Sequence, residues 1–405
     1  MAEQPHSGLY HFEEQQLMPA EEKLEIRKKG QKITIGIPAN TDNDEVCIPL
    51  TPQAAEMIIN SGHDVIIETG AGLKTRYTDL EYSNAGAIIA QSRNEVFECD
   101  YVIKVAPFTS EEIALLRGNQ VIFSMLQIDK QCESMVKTLM QKKITSVVFE
   151  YMKDELGGLP VMQSLSEISG IVAMTVAGEL LSNSSGGKGV LFGGVTGISP
   201  AAVIILGAET AAESAARAAL GLGAEVKIFD NSVSKLRSFE RKFNQKIFTS
   251  LYYPRVLKKA IQSADVVLGA QPFNSVPQYI IPREMIQKMK KGSIIIDLNA
   301  SQGGCFETTT CTSLSNPTYE RDGIIHYCVP NISARVSRTT TIALSNIFAS
   351  IILEIGEMGG IAQYIKSQKG FREGVVIYNG LLTNKDVGNK FNIPVKDLDL
   401  LMAAF

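Results

Sequence analysis

Residues 202–230 constrain the fold of this 405-residue chain more than any other stretch. They begin with an apolar run rich in branched residues, 203–206, which is typical of a strand buried on both faces of a sheet. Gly207 permits a sharp turn, an alanine-rich helical pattern follows, and a second apolar run ends at Asp230. This order predicts a βαβ unit that binds a dinucleotide, with the phosphates at the start of the helix and a ribose hydroxyl on the final acid.

One position departs from the glycine fingerprint of such units, G-x-G-x-x-G/A. Glu209 stands in place of the second glycine, where the backbone must approach the pyrophosphate. A carboxylate there is bulky and carries the same sign of charge as phosphate, so the sequence favours weakened or absent binding. The alternatives left open are a side chain turned into solvent, a differently bound cofactor and a cationic ligand. The predicted phosphate-binding residues are Gly207, Ala208, Glu209, Thr210 and Ala211.

Length and composition limit the class of protein. A chain of 405 residues is too long for one compact core, and 45% hydrophobic with 20% charged residues is ordinary for a soluble globular protein. A net charge of −4 gives no electrostatic reason to expect nucleic acid or an anionic membrane. No uninterrupted apolar run reaches the roughly 20 residues that a membrane span needs, and the N-terminus does not read as a secretory signal. The 6 cysteines are scattered without a CxxC motif, so we expect a cytoplasmic protein without a metal site.

Strand-like and helix-like patterns alternate along the chain, which predicts an α/β fold with two Rossmann-like domains, each a doubly wound parallel sheet, and an interdomain cleft. The predicted segments are a polar extension at 1–31, a first domain at 32–160 completed by a helical and loop-like tail at 339–405, and a second domain at 161–338. Long helices at 166–182 and 339–357 are expected to form the hinge. The extension is expected to be a solvated arm or short helix, or to pack on a neighbouring subunit. A cleft between domains is a common ligand site.

Several motifs identify a family. They are GIP…E…LTP at 36–52, LPVMQSLSEISG at 159–170, GGKGVLFGGVTGISPAAVIILGA at 186–208, DLNASQGGCFET at 297–308, HYCVPN at 326–331 and RTTTIALSN at 338–346. In this order they resemble alanine dehydrogenase, a relative of the first domain of proton-pumping nicotinamide nucleotide transhydrogenase. The resemblance implies NAD as cofactor, hydride transfer at the α-carbon of a small amino acid (alanine to pyruvate and ammonia), and a homo-oligomer, either a hexamer or a dimer.

The resemblance also implies four polar substrate and catalytic groups, and this chain differs at each matching position. The arginine for the substrate carboxylate is matched by Cys47, and the catalytic histidine by Gln127. The substrate lysine is matched by Ala106, although Lys104 in the same KVAPF run could substitute by a shift. The aspartate near the nicotinamide is matched by Ser301. Reductive amination needs a cation for the carboxylate and a general acid or base, and these replacements supply neither.

The resemblance places further residues around the dinucleotide. Ser166 matches a serine at the phosphates, or is the N-cap of the 166–182 helix. Lys235 matches a basic residue beside the adenosine ribose, or is a solvated helix lysine. Tyr252 and Tyr253 lie near the expected adenine, as a stacking platform or as filling of its pocket. The other expected cofactor contacts are Leu298, Asn299 and Asn331. Arg335 and Arg338 are the remaining cations for an anionic ligand, or hinge ion-pair residues.

Two functions follow from these observations. The first is an NAD-dependent oxidoreductase of the alanine dehydrogenase type, with a shifted substrate, acting on a small molecule in the interdomain cleft. The second is a catalytically degenerate paralogue that binds a ligand or serves as a regulatory or assembly subunit.

Overall fold

The computed structural model describes residues 32–41, 44–128, 131–271 and 279–404, so the predicted extension at 1–31 lies outside the described residues. The described chain forms two largely parallel sheets flanked by helices, which confirms the predicted α/β class. The strands are β1 Thr34–Ile37, β2 Asp64–Glu68, β3 Ile88–Ala90, β4 Tyr101–Ile103, β5 Val121–Ser124, β6 Thr145–Val148, β7 Ala202–Leu206, β8 Glu225–Phe229, β9 Phe248–Ser250, β10 Val266–Gly269, β11 Ile294–Asp297, β12 Thr318–Arg321, β13 Ile324–Tyr327, β14 Val375–Tyr378 and β15 Leu381–Leu382. The helices are α1 Pro52–Asn60, α2 Asp79–Asn84, α3 Arg93–Phe97, α4 Ser110–Leu115, α5 Glu133–Gln141, α6 Pro160–Leu181, α7 Thr210–Gly221, α8 Val233–Arg241, α9 Pro254–Ser263, α10 Arg283–Ile286, α11 Ser337–Glu357, α12 Ile361–Ser367, α13 Lys369–Arg372, α14 Lys385–Phe391 and α15 Leu398–Ala404.

Each sheet has one place where the strand order reverses. The first sheet has the order β15-β14-β6-β5-β4-β1-β2-β3 and reverses between β1 and β4. The second has the order β12-β13-β11-β10-β7-β8-β9 and reverses between β7 and β10. Strands β12, β14 and β15 are antiparallel additions at the sheet edges. In open α/β sheets, ligands bind beyond the carboxyl ends of the strands at such switch points.

The βαβ unit of the second sheet forms where the sequence predicts it. Every residue of β7 is buried, because Val203 and Ile205 pack on one face of the sheet while Ile204 and Leu206 pack on the other. Helix α6 lies directly on α7, since a Cβ added at Gly170 would come within 2.2 Å of the Ala211 carbonyl oxygen. The start of α7 is therefore fixed between the sheet and α6.

Helix α6 starts earlier than the sequence interpretation allowed. The predicted helix begins at Ser166, whereas α6 begins at Pro160, with Leu159 as its N-cap. The N-cap interpretation of Ser166 is therefore wrong. Proline is favoured in the first turn of a helix, where its missing N–H has no partner to lose, and no helix-breaking residue separates it from Ser166.

The C-terminal tail is more regular than predicted. It contains the hairpin β14–β15, and β14 pairs antiparallel with β6 of the first sheet. The turn consists of Asn379 and Gly380, with φ angles of 46° and 80°. An Asn-Gly pair between apolar runs is a strong hairpin signal, and the interpretation of the tail as helical and loop-like overlooked it.

Two helical stretches, Pro160–Leu181 and Ile332–Glu357, are long and apolar enough to cross a membrane by length and composition alone. Core helices satisfy the same criterion. Here α6 lies on α7, and α11 meets the start of α1, where Ser345 Oγ accepts a hydrogen bond of 3.0 Å from the Thr51 amide. Both helices thus have apolar faces that the fold itself covers.

Candidate functional site

The carboxyl edge of the second sheet brings most of the predicted cofactor residues together. Gly207 follows β7, Asp230 follows β8, and Leu298 and Asn299 follow β11. Gly207 has a φ of +106°, and an added Cβ would lie 2.6 Å from the Ala270 carbonyl oxygen. Glycine is therefore required by both backbone conformation and space, and it lets the turn after β7 approach the end of β10 at the switch point.

Asp230 has an unsatisfied carboxylate oxygen. Its side chain is fully buried, and Oδ1 accepts a hydrogen bond of 2.8 Å from the Ser232 amide. Within the described residues, the buried Oδ2 has no hydrogen-bond partner. Leaving such an oxygen without a donor costs free energy, so a ligand hydroxyl that donates to it would be bound favourably. This is the chemistry that a ribose hydroxyl offers, and it fits a dinucleotide at this edge.

Glu209 adopts an orientation that none of the alternatives from the sequence describes fully. It is the N-cap of α7 in an extended conformation, yet its side chain accepts no bond from its own helix. Its carboxylate instead forms an ion pair with Lys235 in the first turn of α8. The hydrogen bond that Lys235 Nζ donates to the Glu209 carboxylate raises the pKa of Lys235. The Glu209 carboxylate therefore points toward α8, where the Lys235 ammonium balances its negative charge. The start of α7 at Thr210 and Ala211 lies next to this ion pair.

The remaining predicted cofactor residues lie around this edge. Ser166 is one helical turn before Gly170, on the face of α6 that packs against α7. The Leu298 amide donates to Gly269, and Asn299 Nδ2 donates to the Gln271 carbonyl at 2.7 Å.

The two tyrosines after β9 differ in their surroundings. The hydroxyl of Tyr252 donates to Gln271 Oε1 at 3.1 Å, and burial together with the charge of Asp230 raises its pKa. Tyr253 is 59% exposed. Tyr252 therefore occupies space at the carboxyl edge, whereas Tyr253 presents its ring to solvent.

The carboxyl edge of the first sheet faces this one. Asn331, after β13, donates through Nδ2 to Glu45 Oε2 at 2.8 Å, and the Leu314 amide donates to Asp44 Oδ1 at 3.0 Å. Glu45 and Asp44 lie in the loop after β1, at the switch point of the first sheet. These bonds connect the two domains edge to edge and place Asn331 at the junction.

The substrate positions of the first domain lie on neighbouring loops. Cys47 follows β1, Ala106 follows β4 and Gln127 follows β5, and these strands are adjacent in the sheet. Ser301 is exposed in the short 3-10 helix Ala300–Gln302 after β11 of the second sheet. The topology thus brings the three positions from the first domain to one edge, although none of them carries a formal charge.

Cys47 is a buried neutral thiol beside an acid. It is 2% exposed, and its amide donates to Glu45 Oε1 at 2.8 Å. Burial and the neighbouring Glu45 raise the pKa of its thiol. Where the resemblance expects a cation for a substrate carboxylate, the chain therefore has a thiol next to a negative charge.

Lys104 is held inside the first domain. Its Nζ lies 2.8 Å from both carboxylate oxygens of Glu112, and both side chains are almost fully buried. Glu112 also lies 3.2 Å from Arg93 Nη2 and accepts the Thr109 amide. This pairing gives no support to the hypothesis that Lys104 replaces the missing substrate lysine at Ala106.

Gln127 is positioned by an acid that the sequence interpretation missed. Its φ is +42°, and its amide donates to Glu150 Oε1 at 3.1 Å, while the Leu126 amide donates to Glu150 Oε2 at 2.6 Å. Burial raises the pKa of Glu150. An acid directly after a buried apolar strand was the available signal, because strand ends at one edge meet at the same site.

Cavities at this edge lie beside the loop after β4. One of about 410 Å³ is lined by Arg93, Thr109 and Glu112, and its neighbour of about 290 Å³ is lined by Lys104 and Ala106 among others. The cavities therefore border the buried ion pair, and they lie in the first domain rather than at the dinucleotide edge.

The two arginines at the domain junction are engaged in contacts within the chain. Arg335 Nη2 lies 2.5 Å from Glu179 Oε2 on α6, and Arg338 lies over the Tyr77 ring at 4.2 Å. Arg335 thus forms an ion pair of the kind expected at the hinge, whereas Arg338 contacts the Tyr77 ring and donates to the Arg76 carbonyl at 3.1 Å. Across the described ranges, no three His, Cys, Asp or Glu side chains form a group that could hold a metal ion.

Comparisons with known proteins agree over most of the chain. The family models "Alanine dehydrogenase/PNT, N-terminal domain" and "Alanine dehydrogenase/PNT, C-terminal domain" match residues 36–169 and 173–385. The alanine dehydrogenase of Halomonas elongata is 32% identical over 362 residues, covering 89% of this chain and 97% of the relative. That of Staphylococcus epidermidis is 33% identical over 371 residues, covering 90% and 98%. A solved L-alanine dehydrogenase superposes with a TM-score of 0.83 at 30% identity, covering 89% of this chain and 99% of that one. A transhydrogenase from Sinorhizobium meliloti has a TM-score of 0.73 at 19% identity, covering 87% and 99%, which is a likeness of fold alone.

Proposed function

Because the chain belongs to the alanine dehydrogenase/PNT family, we propose that its second domain binds NAD(H) and that it is an oxidoreductase of the alanine dehydrogenase type with a substrate other than alanine. The observation that carries the proposal is the buried, unpartnered Oδ2 of Asp230 at the end of β8. A ribose hydroxyl donating to this oxygen would satisfy it.

The other residues of the edge would hold the rest of the dinucleotide. The turn at Gly207 and the first amides of α7 would hold the pyrophosphate, since helix N-termini attract anions. The cofactor, when bound, supplies or accepts a hydride. The contact between Glu45 and Asn331 keeps the two sheet edges together, so a substrate on the first edge would be within reach of the cofactor.

Alanine is a poor match to the substrate side. No arginine or lysine stands at Cys47 or Ala106, and Gln127 cannot transfer a proton at neutral pH. The nearby acid Glu45 would repel a carboxylate. A substrate that fits this edge would be neutral at the end that faces Cys47.

A second candidate is a paralogue that binds NAD(H) without turnover. The observation that favours it is the ion pair between Lys104 and Glu112, because Lys104 is then not available to compensate for Ala106. We also propose that the protein is a homo-oligomer and that it is located in the cytoplasm. Native mass spectrometry of the purified chain tests the oligomeric state.

The first experiment is a fluorescence titration of the full chain with NADH. We expect Asp230→Asn to weaken NADH binding by about 10- to 100-fold, because a charge-assisted hydrogen bond is lost. Asp322→Asn, which removes a partly buried carboxylate paired with Arg283 in the same domain, is the matched control and should bind as the wild type does. Absence of NADH binding by the wild type would refute the proposal.

The second experiment separates the two candidates. The protein is assayed for NADH oxidation with pyruvate and ammonia, and then with neutral carbonyl compounds of similar size. An oxidoreductase with a shifted substrate reduces at least one of the neutral carbonyl compounds. A catalytically inactive paralogue binds NADH and reduces none of the compounds. Turnover of alanine at a rate typical of enzymes, about 1 per second or more, would contradict our account of Cys47 and Ala106.

A further inference from the structure

The ion pair between Glu209 and Lys235 has a consequence for the choice of cofactor, which rests on the proposed NAD(H) binding. Glu209 is at the start of α7 and Lys235 is in the first turn of α8, so the pair bridges the two helices that follow β7 and β8. Their side chains are 43% and 40% exposed. The pair is therefore accessible to a ligand at the carboxyl edge.

Lys235 lies beside the predicted ribose site. Asp230 Oδ1 accepts the Ser232 amide at 2.8 Å, and Ser232 Oγ accepts the Lys235 amide at 3.3 Å, so one short turn holds the acid and the base together. In related dinucleotide folds, an acid after the second strand binds the ribose 2′-hydroxyl, while a nearby basic residue accommodates a 2′-phosphate. This chain has both an acid and a base at that place. Its preference between the two cofactors therefore depends on whether the base is available to bind a 2′-phosphate.

The charges at this place sum to −1, from Asp230, Glu209 and Lys235. A 2′-phosphate would bring a further charge of about −1.5 to −2. It would face two carboxylates, and the single cation is already bound to one of them. We propose that the Glu209–Lys235 ion pair is a specificity determinant, which withholds Lys235 from the ribose 2′ position and makes the site select NAD(H) over NADP(H).

This assigns Glu209 a function that is distinct from obstruction of the phosphates. A partly exposed ion pair contributes little to stability, so Glu209 can be changed without unfolding the protein. When its charge is removed, Lys235 becomes available to a phosphate and the local charge rises to zero. At the 2′ position the phosphorylated cofactor then gains a charge-assisted hydrogen bond and loses a repulsion, in addition to any change at the pyrophosphate that it shares with NAD(H).

The test is a titration of the full chain with NADH and NADPH, and with the fragments 5′-AMP and adenosine 2′,5′-bisphosphate. The wild type should bind NADH at least about 10-fold more tightly than NADPH. Glu209→Gln should tighten NADPH by about 10- to 100-fold more than it tightens NADH, since both cofactors share the pyrophosphate and only NADPH carries the 2′-phosphate. The fragment pair should shift in the same direction, since only the adenosine end is involved.

Two variants make the result specific. Glu209→Gln/Lys235→Met should lose the gain in NADPH affinity, because the freed cation is absent. Glu213→Gln removes another carboxylate of α7, which pairs with Arg217 and Lys242, and should leave selectivity unchanged.

The possible failures are distinguishable. If the wild type binds NADH and Asp230→Asn weakens it, but Glu209→Gln tightens NADPH no more than it tightens NADH, only this inference is overturned. The same holds if the double variant keeps the gain, or if the wild type binds both cofactors equally. If the wild type binds neither dinucleotide, the proposed function and this inference are overturned together.

Discussion

The buried pair of Lys104 and Glu112 gives a direct test of whether Lys104 is structural or binds ligand. Lys104→Met removes the ammonium but keeps most of the apolar stem. Breaking a buried ion pair by deleting one partner usually costs about 3 to 5 kcal/mol. Glu112 would retain Arg93 and the Thr109 amide as partners, so we expect the lower end, about 3 kcal/mol.

The reverse deletion should cost more. Glu112→Gln removes the negative charge beside the Lys104 ammonium and leaves it only neutral acceptors, the new amide oxygen and the Pro107 carbonyl at 3.4 Å. We expect a loss of about 4 to 5 kcal/mol for this variant. The double variant Lys104→Met/Glu112→Gln should lose less than the sum of the two, because the residues are in direct contact.

Scanning calorimetry and NADH titration together provide the assay. A loss of about 3 kcal/mol lowers the transition of a domain of this size by about 6 to 12 °C. At temperatures where the Lys104→Met protein is folded, its affinity for NADH should equal that of the wild type, since the ion pair lies in the first domain. Lys137→Met, which removes an exposed ion pair with Glu133, is the matched control and should cost below about 0.5 kcal/mol. A Lys104→Met protein of wild-type stability that no longer turns over or binds a substrate would refute the structural interpretation.

Two further predictions concern titration and reactivity. Burial lowers the pKa of His326 to about 4, from an ordinary 6.5, and the unfolded chain therefore binds more protons between these values. Folding stability should fall as the pH drops from 6.5 to 4, by up to about 3 kcal/mol, and His326→Gln should flatten this part of a urea-denaturation pH profile; an unchanged slope would contradict the burial of His326. Among the thiols, Cys132 and Cys311 are exposed and the other four are buried, so a thiol reagent should modify two groups in the native protein and the rest only after unfolding. Rapid native modification of more than two would show that the buried set is accessible.

The sequence predicts the scaffold well where a local pattern and the tertiary environment agree. The stretch at 202–230 specifies its strands, turn and helix, because each residue type suits both its own backbone and the burial around it. The hairpin at Asn379 and Gly380 was also signalled by its turn and was overlooked. The start of α6 was misplaced because Ser166 is a good cap in isolation, while Pro160 already provides a favourable first turn.

The candidate site is predicted less completely, because its chemistry depends on pairings between residues far apart in sequence. The sequence identifies Glu209 and Lys235 separately, but only the fold shows that they form an ion pair. The same is true of Glu150 and the Gln127 amide, and of Glu45, whose partner Asn331 is 286 residues away. The partner of a long side chain depends on the direction in which the side chain points and on the distance to other groups. Spacing along the sequence does not determine either quantity.

These pairings change how the substitutions are to be understood. An isolated Glu209 at a phosphate turn indicates a site that has lost its ligand. Joined to Lys235, next to an Asp230 whose Oδ2 still lacks a donor, it indicates a site that keeps its recognition of a ribose hydroxyl. A buried carboxylate oxygen without a donor destabilises the fold, and replacing Asp230 with a neutral side chain would remove that destabilisation. If the dinucleotide edge no longer bound a ligand, nothing would favour keeping this carboxylate. The first sheet edge presents no cation at Cys47 and Ala106 while the second has the acid Asp230, so the proposed function assigns the difference from alanine dehydrogenase to the substrate and keeps NAD(H) as the cofactor.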